Sequence, residues 1–220
     1  MPATRPPRYR RPRKDSEAAA ELRRVAGARG AQAVKTLEQA AEAFNAGRER
    51  DSLRILRPLM RSYPDAAGVR ELAGLCQYRV GNYRAAEREL EAFVDITGST
   101  DQHPVLMDCA RALKRYRRVD ELWRELGEAS PSAELVTEGR IVYAGSLADR
   151  GRRDEAIEVL EKRARDNPRR IQEHHVRLWY ALADLYERTG DIPRARALFL
   201  RVKKYDSQFA DVAERLASLG

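Results

Sequence analysis

Around five points in this chain, large and small apolar residues recur at fixed distances. The clearest case is "WYALADLYERTGDIPRARALF", Trp179–Phe199. Trp179, Leu182, Ala183 and Tyr186 stand eleven, eight, seven and four residues before Gly190; Ala195, Phe199 and Val202 stand five, nine and twelve after it. On a 3.6-residue period this makes one apolar stripe before the glycine and one after it. The pattern predicts two amphipathic helices packed on each other. Small Ala183 and Ala195 sit where backbones approach closely, and the rings fill the space beside them. Gly190 supplies the left-handed backbone that ends the first helix. Asp191 is placed to cap the second, and Pro193 is tolerated in its first turn.

The frame recurs upstream. Gly151 is followed at five, nine and seventeen residues by Ala156, Leu160 and Pro168. Gly81 has Gly74 seven before it, and Tyr83, Ala86 and Leu90 two, five and nine after it. Gly47 is followed by Leu56 at nine and Pro64 at seventeen. A fifth copy turns at Lys114, without glycine, yet Tyr116, Trp123, Leu126 and Pro131 keep the offsets two, nine, twelve and seventeen. Successive turns lie 34, 33, 37 and 39 residues apart. In the first two copies the ring, Phe44 or Tyr78, stands three rather than four before the glycine, which shifts the first helix by one residue. "RIVYA" at Arg140–Ala144 has the apolar run of a strand, but its place in the frame predicts helix.

This arrangement resembles the tetratricopeptide repeat (TPR). Trp179, Leu182, Ala183, Tyr186, Ala195 and Phe199 fill its main slots; Ala183 stands for the usual glycine and Ser207 for the usual closing proline. The resemblance implies an all-α fold, a right-handed TPR-like α-solenoid of about five helix pairs with a C-terminal capping helix. The stretches "TGSTDQHPVLMDCARAL", "SPSAELVTEGRIVYAGSLADRG" and "HHVRLWYALADLYERTGD" are also similar to an actinobacterial family of repeat proteins with a basic N-terminal tail. That similarity implies a fold and a lineage, not a reaction.

Outside the repeats, residues 15–30 predict a leading helix with a break marked by Gly27 and Gly30. Residues 31–220 hold the solenoid, with turns near 47, 81, 114, 151 and 190. Its cap, 208–219, carries Phe209, Val212, Ala213, Leu216 and Leu219 at helical spacing, with Asp211, Glu214, Arg215 and Ser218 on the opposite face. One apolar face for the last repeat and one polar face for water is what such an end needs. Residues 1–14, "MPATRPPRYRRPRK", contain four prolines, which prevent regular helix, and predict a disordered basic tail.

Charge sharpens that division. The chain has 42 Lys and Arg against 34 Asp and Glu, a formal net of +8. Arg5, Arg8, Arg10, Arg11, Arg13 and Lys14 supply six of those charges with no acid among them, so the remaining residues are nearly neutral. Two cysteines, Cys76 and Cys109, are too few for a disulfide framework and fill the same repeat slot, which predicts packing residues, reduced, in a cytoplasmic protein. No apolar run is long enough to span a membrane or to serve as a signal peptide.

Enzyme signatures do not survive inspection. "GARGAQAVKT" at Gly27–Thr36 lacks the glycine that precedes a phosphate-loop lysine and follows a helix rather than a strand. His174 and His175 are adjacent and point about 100° apart on a helix, a poor metal pair that suits a helix start or a surface. Glu158 and Lys162 form a helix-face ion pair. No catalytic residue, cofactor or metal ligand is predicted.

Two candidates remain. In a solenoid of this kind the first helices line a concave groove, where Asp108, Arg111, Arg177, Tyr180, Asp184 and Arg188 are placed to face a protein or peptide partner, unless they are ordinary solvated residues. The lysine and asparagine carboxylate clamp of some TPR proteins is not reproduced. The tail, Arg5 to Lys14, suits nucleic acid or an acidic surface, with Tyr9 placed to stack on a base, unless it merely aids solubility. The expected function is a non-enzymatic adaptor or scaffold; the alternative is an RNA- or ribosome-associated factor anchored by the tail.

Overall fold

Left-handed residues close the turns at 47, 81, 114, 151 and 190, and helices run between them. The computed structural model describes residues 17–164 and 170–219. The helices are α1 Glu17–Ala26, α2 Gly30–Asn45, α3 Glu49–Ser62, α4 Ala67–Arg79, α5 Tyr83–Thr97, α6 His103–Ala112, α7 Tyr116–Ala129, α8 Ala133–Asp149, α9 Arg153–Ala164, α10 Glu173–Arg188, α11 Ile192–Tyr205 and α12 Val212–Ser218. No strand occurs among the described residues, and "RIVYA" lies inside α8. The fold is all-helical, of the α-solenoid class. The tail, residues 1–14, lies outside the described residues.

Five turns share one hydrogen-bond pattern. The N–H of Arg48, Asn82, Arg115, Arg152 and Asp191 each reaches the carbonyl five residues earlier, at 2.9, 2.9, 2.8, 2.9 and 2.9 Å. This is a helix C-terminus closed by a left-handed residue. Gly47, Gly81, Gly151 and Gly190 take φ of 73, 78, 81 and 85°, and Lys114 takes the same conformation at 58°. A lysine there keeps the geometry and bears the steric penalty that glycine escapes.

The chain divides into two compact units, one reaching to Arg115 and one running from Tyr116. In the first, α2 packs with α3 and α4 with α5, α4 touches both α2 and α6, and α1 lies against α2 and α4. Glu21 of α1 accepts the N–H of Ala67 at 3.1 Å, so the leading helix caps the start of α4. The break after α1 is at Gly27, φ 54°, not at Gly30. Gly30 begins α2 in helical backbone, and its lack of a side chain lets it lie against Arg23, whose backbone would be 2.8 Å from a Cβ. Phe44, Leu37, Leu56, Leu72 and Leu90 are fully enclosed.

In the second unit α8 packs with α9 and α10 with α11, and α10 also touches α8 and α9. Trp179, Phe199, Leu160, Ala183 and Ala195 form its core, and Arg201 lies over the Trp179 ring at 3.7 Å. Helix α12 buries Val212, with Phe209, Leu216 and Leu219 partly buried against the same core. Ala213 is exposed, so the apolar stripe of the cap is narrower than its spacing predicts.

Within each unit an arginine ties neighbouring hairpins together. At the end of α4, Arg79 meets Glu49 of α3 at 3.3 Å and lies 3.7 Å over the Phe44 ring. Just after α6, Arg115 meets Glu87 of α5. Just after α8, Arg150 holds both oxygens of Asp120 on α7, at 3.0 and 2.8 Å. Each guanidinium reaches from the end of a first helix back to the second helix of the preceding hairpin.

Candidate functional site

Among the first helices, α2 touches α4 and α4 touches α6 in one unit, and α8 touches α10 in the other. The side chains along those seams are the candidates for partner contact. On α6, Asp108 accepts a hydrogen bond from the Tyr78 hydroxyl of α4 at 2.7 Å and another from Arg111 at 3.3 Å. Burial pushes the Tyr78 phenol up, and the Asp108 charge pushes it further, so it remains a donor. A second link lies one helical stretch away, where Gln102 donates to Glu71 at 2.8 Å. Burial raises the Glu71 carboxyl above its ordinary range, Gln102 pulls it down, and Asp101 adds to the rise. Asp108 and Arg111 therefore come together, as their three-residue spacing allows. Glu71 and Gln102 belong to the same seam but carry no motif that would single them out, and the repeat frame marks Tyr78 as a ring, not as a partner of Asp108.

In the other unit, Arg177 of α10 pairs with Glu138 of α8 at 2.9 Å, both mostly buried. Burial pushes the Glu138 carboxyl up to about 7; Arg177 pulls the other way, and Glu134 and Glu173 add to the rise. Burial outweighs the arginine because a carboxylate withdrawn from water loses more than one imperfect partner restores.

Tyr180 and Asp184 are covered by the chain's own α12. The Tyr180 hydroxyl donates to Asp211, and its ring lies between Phe199 and Phe209 at 5.5 and 5.3 Å. Asp184 is 4% exposed and accepts from Arg215 at 2.8 Å. Arg188 reaches it only at 3.7 Å, leaving 40% of the arginine side chain in solvent. Of the four α10 residues, Arg188 alone presents a substantial charged surface.

The remaining chemistry-bearing residues have structural neighbours. Cys76 and Cys109 are buried free thiols. Cys76 donates to Ser52 at 3.2 Å, and burial pushes its thiol up to about 11; burial, Asp108 and Glu87 also push Cys109 up. Thiols held in the neutral form are poor nucleophiles. Glu158 and Lys162 pair at 3.1 Å on the surface of α9. His175 accepts the Gln172 N–H on Nδ1 at 3.0 Å and so caps α10. Among the described residues no group of three or more His, Cys, Asp or Glu is arranged to hold a metal ion, and no helix is long and apolar enough to cross a membrane. The tail candidates Arg5, Arg8, Tyr9, Arg10, Arg11, Arg13 and Lys14 lie outside the described residues.

Residues 147–219 match the family model of the tetratricopeptide repeat. The crystal structure of TTC0263, a thermophilic TPR protein of Thermus thermophilus, superposes with a TM-score of 0.65 at 19% identity, covering 85% of this chain and 98% of that one. No curated protein sequence matches the chain. From the end of α8 to α12 the residues thus match the tetratricopeptide repeat, and most of the chain has the fold of a solved TPR protein.

Proposed function

We propose that this chain is a non-enzymatic, cytoplasmic adaptor that holds a protein or peptide partner on the first-helix faces of its hairpins. The carrying observation is the construction of those faces. Charged side chains on one first helix are fixed by the first helix before it, Asp108 by Tyr78 and Arg177 by Glu138. A partner that meets charges already held in place loses less freedom on binding. Arg111 lies beside Asp108 and Arg188 beside Asp184, and a partner carboxylate would share each guanidinium with its acid. The TPR fold supports a role in protein–protein contact by analogy of architecture. The test is Arg111→Ala combined with Arg188→Ala, in affinity purification beside the unaltered protein. Loss of co-purifying proteins at an unchanged melting temperature is the expected result; an unchanged set of partners overturns this face.

A second role is favoured by one feature, the six uncompensated positive charges of residues 1–14. In that case the chain is an RNA- or ribosome-associated factor of actinobacterial lineage, anchored by the tail. If all six charges meet phosphates, log affinity falls with log salt at a slope of roughly −4 to −5. Removing residues 1–14 abolishes the slope; equal RNA binding without them overturns the role. Purification with and without ribonuclease separates the two.

A further inference from the structure

Helix α3 carries a charge pattern that its sister helices lack. Arg50, Arg54, Arg57 and Arg61 are four, three and four residues apart. On a 3.6-residue period they fall within about 60° of one another. All four are exposed. They lie opposite the face that α3 buries, with Ser52, Leu56 and Leu59. The result is a straight ridge of guanidinium groups about 16 Å long.

Two observations show that folding does not call for this ridge. First, these arginines stand three, seven, ten and fourteen residues after the turn at Gly47, and the other hairpins hold different residues at those places. Helix α5 has Arg84, Arg88, Glu91 and Asp95; α7 has Arg117, Glu121, Arg124 and Glu128. Helix α9 has Asp154, Glu158 and Glu161 at the first three, and α11 has Pro193, Ala197, Leu200 and Lys204. On α3 alone do all four places carry one sign. Second, the ridge is scarcely neutralised. Asp51 meets Arg54 at 3.4 Å and Arg48 at 3.8 Å, in pairs open to water, and Glu49 is taken by Arg79. Among the described residues Arg50, Arg57 and Arg61 have no ion-pair partner. Like charges three and four residues apart on a helix repel, so the ridge works against the stability of the free protein.

The chemistry of the ridge narrows its partner. Among the described residues no exposed large apolar side chain lies on α3. A protein interface is centred on apolar or aromatic anchors, and a helix on a lipid surface must bury an apolar face; α3 uses its apolar face in the core. A phosphate backbone asks for no more than a row of positive charge, and guanidinium forks match its paired oxygens. Helix α3 packs against α2 and α4, so it offers a ridge and not a whole helix to insert into the major groove of a DNA duplex. The major groove of an RNA duplex is narrow, and a straight ridge can span the phosphates of its two rims from outside. We propose that the α3 ridge binds double-stranded RNA through its phosphates, without reading sequence. This surface shares no residue with the first-helix face or with residues 1–14, and it depends on neither role proposed above. Where tail and ridge both act, their salt slopes add, and the slope that removal of residues 1–14 abolishes is the tail's share.

The test uses the full chain and a labelled RNA duplex of two helical turns, with fluorescence anisotropy followed over a range of salt. One variant combines Arg50→Gln, Arg57→Gln and Arg61→Gln, the ridge charges without a partner in the fold. A control combines Arg84→Gln, Arg117→Gln and Arg153→Gln, three exposed charges of α5, α7 and α9, and has the same net charge. Both keep residues 1–14. For the ridge variant the expected result is a salt slope shallower by about 2–3 and binding weaker by about tenfold or more at ~0.1 M salt. Its melting temperature should equal or exceed the parent's, because glutamine keeps the helix and the repulsion is relieved. The control variant and a duplex of shuffled sequence should bind nearly as the parent complex does. Equal weakening by the two variants overturns the ridge and leaves the role of the tail standing. A DNA duplex of the same sequence that binds as tightly overturns RNA as the ligand. Polyglutamate that binds more tightly than RNA, and loses that affinity in the ridge variant, assigns the surface to an acidic protein and overturns the proposal.

Discussion

Arg215 drives its guanidinium against Asp184, 2.8 Å from Nη2 to Oδ1, in a place where the carboxylate side chain is only 6% exposed. The same guanidinium holds Glu187 at 2.7 Å and lies over the Phe199 ring at 5.2 Å. Asp211, four residues earlier, receives the Tyr180 hydroxyl across 31 positions of sequence. Tyr78 and Asp108 make the corresponding link across 30 positions. The terminal helix therefore docks on α10 as α6 docks on α4, in the manner of the first helix of a further hairpin.

Removing that arginine leaves two acids without their shared cation, one of them buried. Arg215→Ala should destabilise the protein by about 2–4 kcal/mol, since an uncompensated buried charge costs more than the pair was worth. Adding Asp184→Asn to Arg215→Ala should recover part of the loss. Urea denaturation of the parent and both variants measures this; a double variant no more stable than Arg215→Ala would show that Asp184 is not the strained group.

Lys114 occupies a left-handed position that glycine fills in the four sister turns. Lys114→Gly relieves the clash of Cβ with the following carbonyl, worth about 1–2 kcal/mol, and gives back part of it through a more flexible unfolded chain. The variant should be more stable by about 0.5–1 kcal/mol. Lys114→Ala, which keeps the Cβ, should change stability little. A melting temperature lower for glycine than for alanine would contradict this account.

The fold class was legible because stacking of hairpins leaves a periodic trace that survives substitution. The turn at Lys114 shows why: apolar offsets marked it without a glycine, since a lysine adopts the left-handed backbone at a tolerable cost. The links between hairpins were not legible. Arg79, Arg115 and Arg150 are three among 42 basic residues, and each finds its acid about thirty positions away, beyond any local spacing rule. The site was half legible for a similar reason. Asp108 and Arg111 share a helix face and meet. Periodicity placed Tyr180 and Asp184 on the inner side of α10 but says nothing of what covers them, and the cover is α12 from the end of the chain. Glu138 resembled any solvated helix carboxylate until the packing of α10 enclosed it.

Glu138 should make stability depend on pH. Its folded pKa, about 7, lies above the ordinary 4.5. Between those values the folded state binds the proton that the unfolded chain has released. Stability from this group is therefore full below about pH 4.5 and lost as pH rises through 7. Glu138→Gln, which imitates the protonated form, should gain on the parent by about 2 kcal/mol between pH 5 and pH 8. Parallel thermal melts across that range test it: a constant difference between the two proteins would mean that Glu138 ionises alike folded and unfolded. NMR of the carboxyl carbon, titrating near 7, is the direct check.

Gly74 and Leu90 offer a test of hairpin packing in which the sign of an effect reverses. Gly74 stands in the middle of α4, where alanine would ordinarily favour the helix by about 1 kcal/mol. Here a Cβ would lie 2.5 Å from Leu90 Cγ and 2.6 Å from its Cδ2, with the Leu90 backbone nitrogen at 3.3 Å. Leu90 is fully buried, so it has nowhere to move without displacing other core side chains. Gly74→Ala should therefore destabilise by about 1–3 kcal/mol through overpacking. Leu90→Ala alone should cost about 2–5 kcal/mol, by opening a cavity between α4 and α5. In that background the added methyl of Gly74→Ala no longer meets the leucine; it fills part of the cavity and favours the helix. Gly74→Ala should then become neutral or stabilising, so that the two effects couple by more than about 1 kcal/mol. Additive losses in the double variant, measured by denaturant unfolding, would mean that α4 and α5 separate to admit the methyl, and that the close approach at Gly74 does not set their spacing.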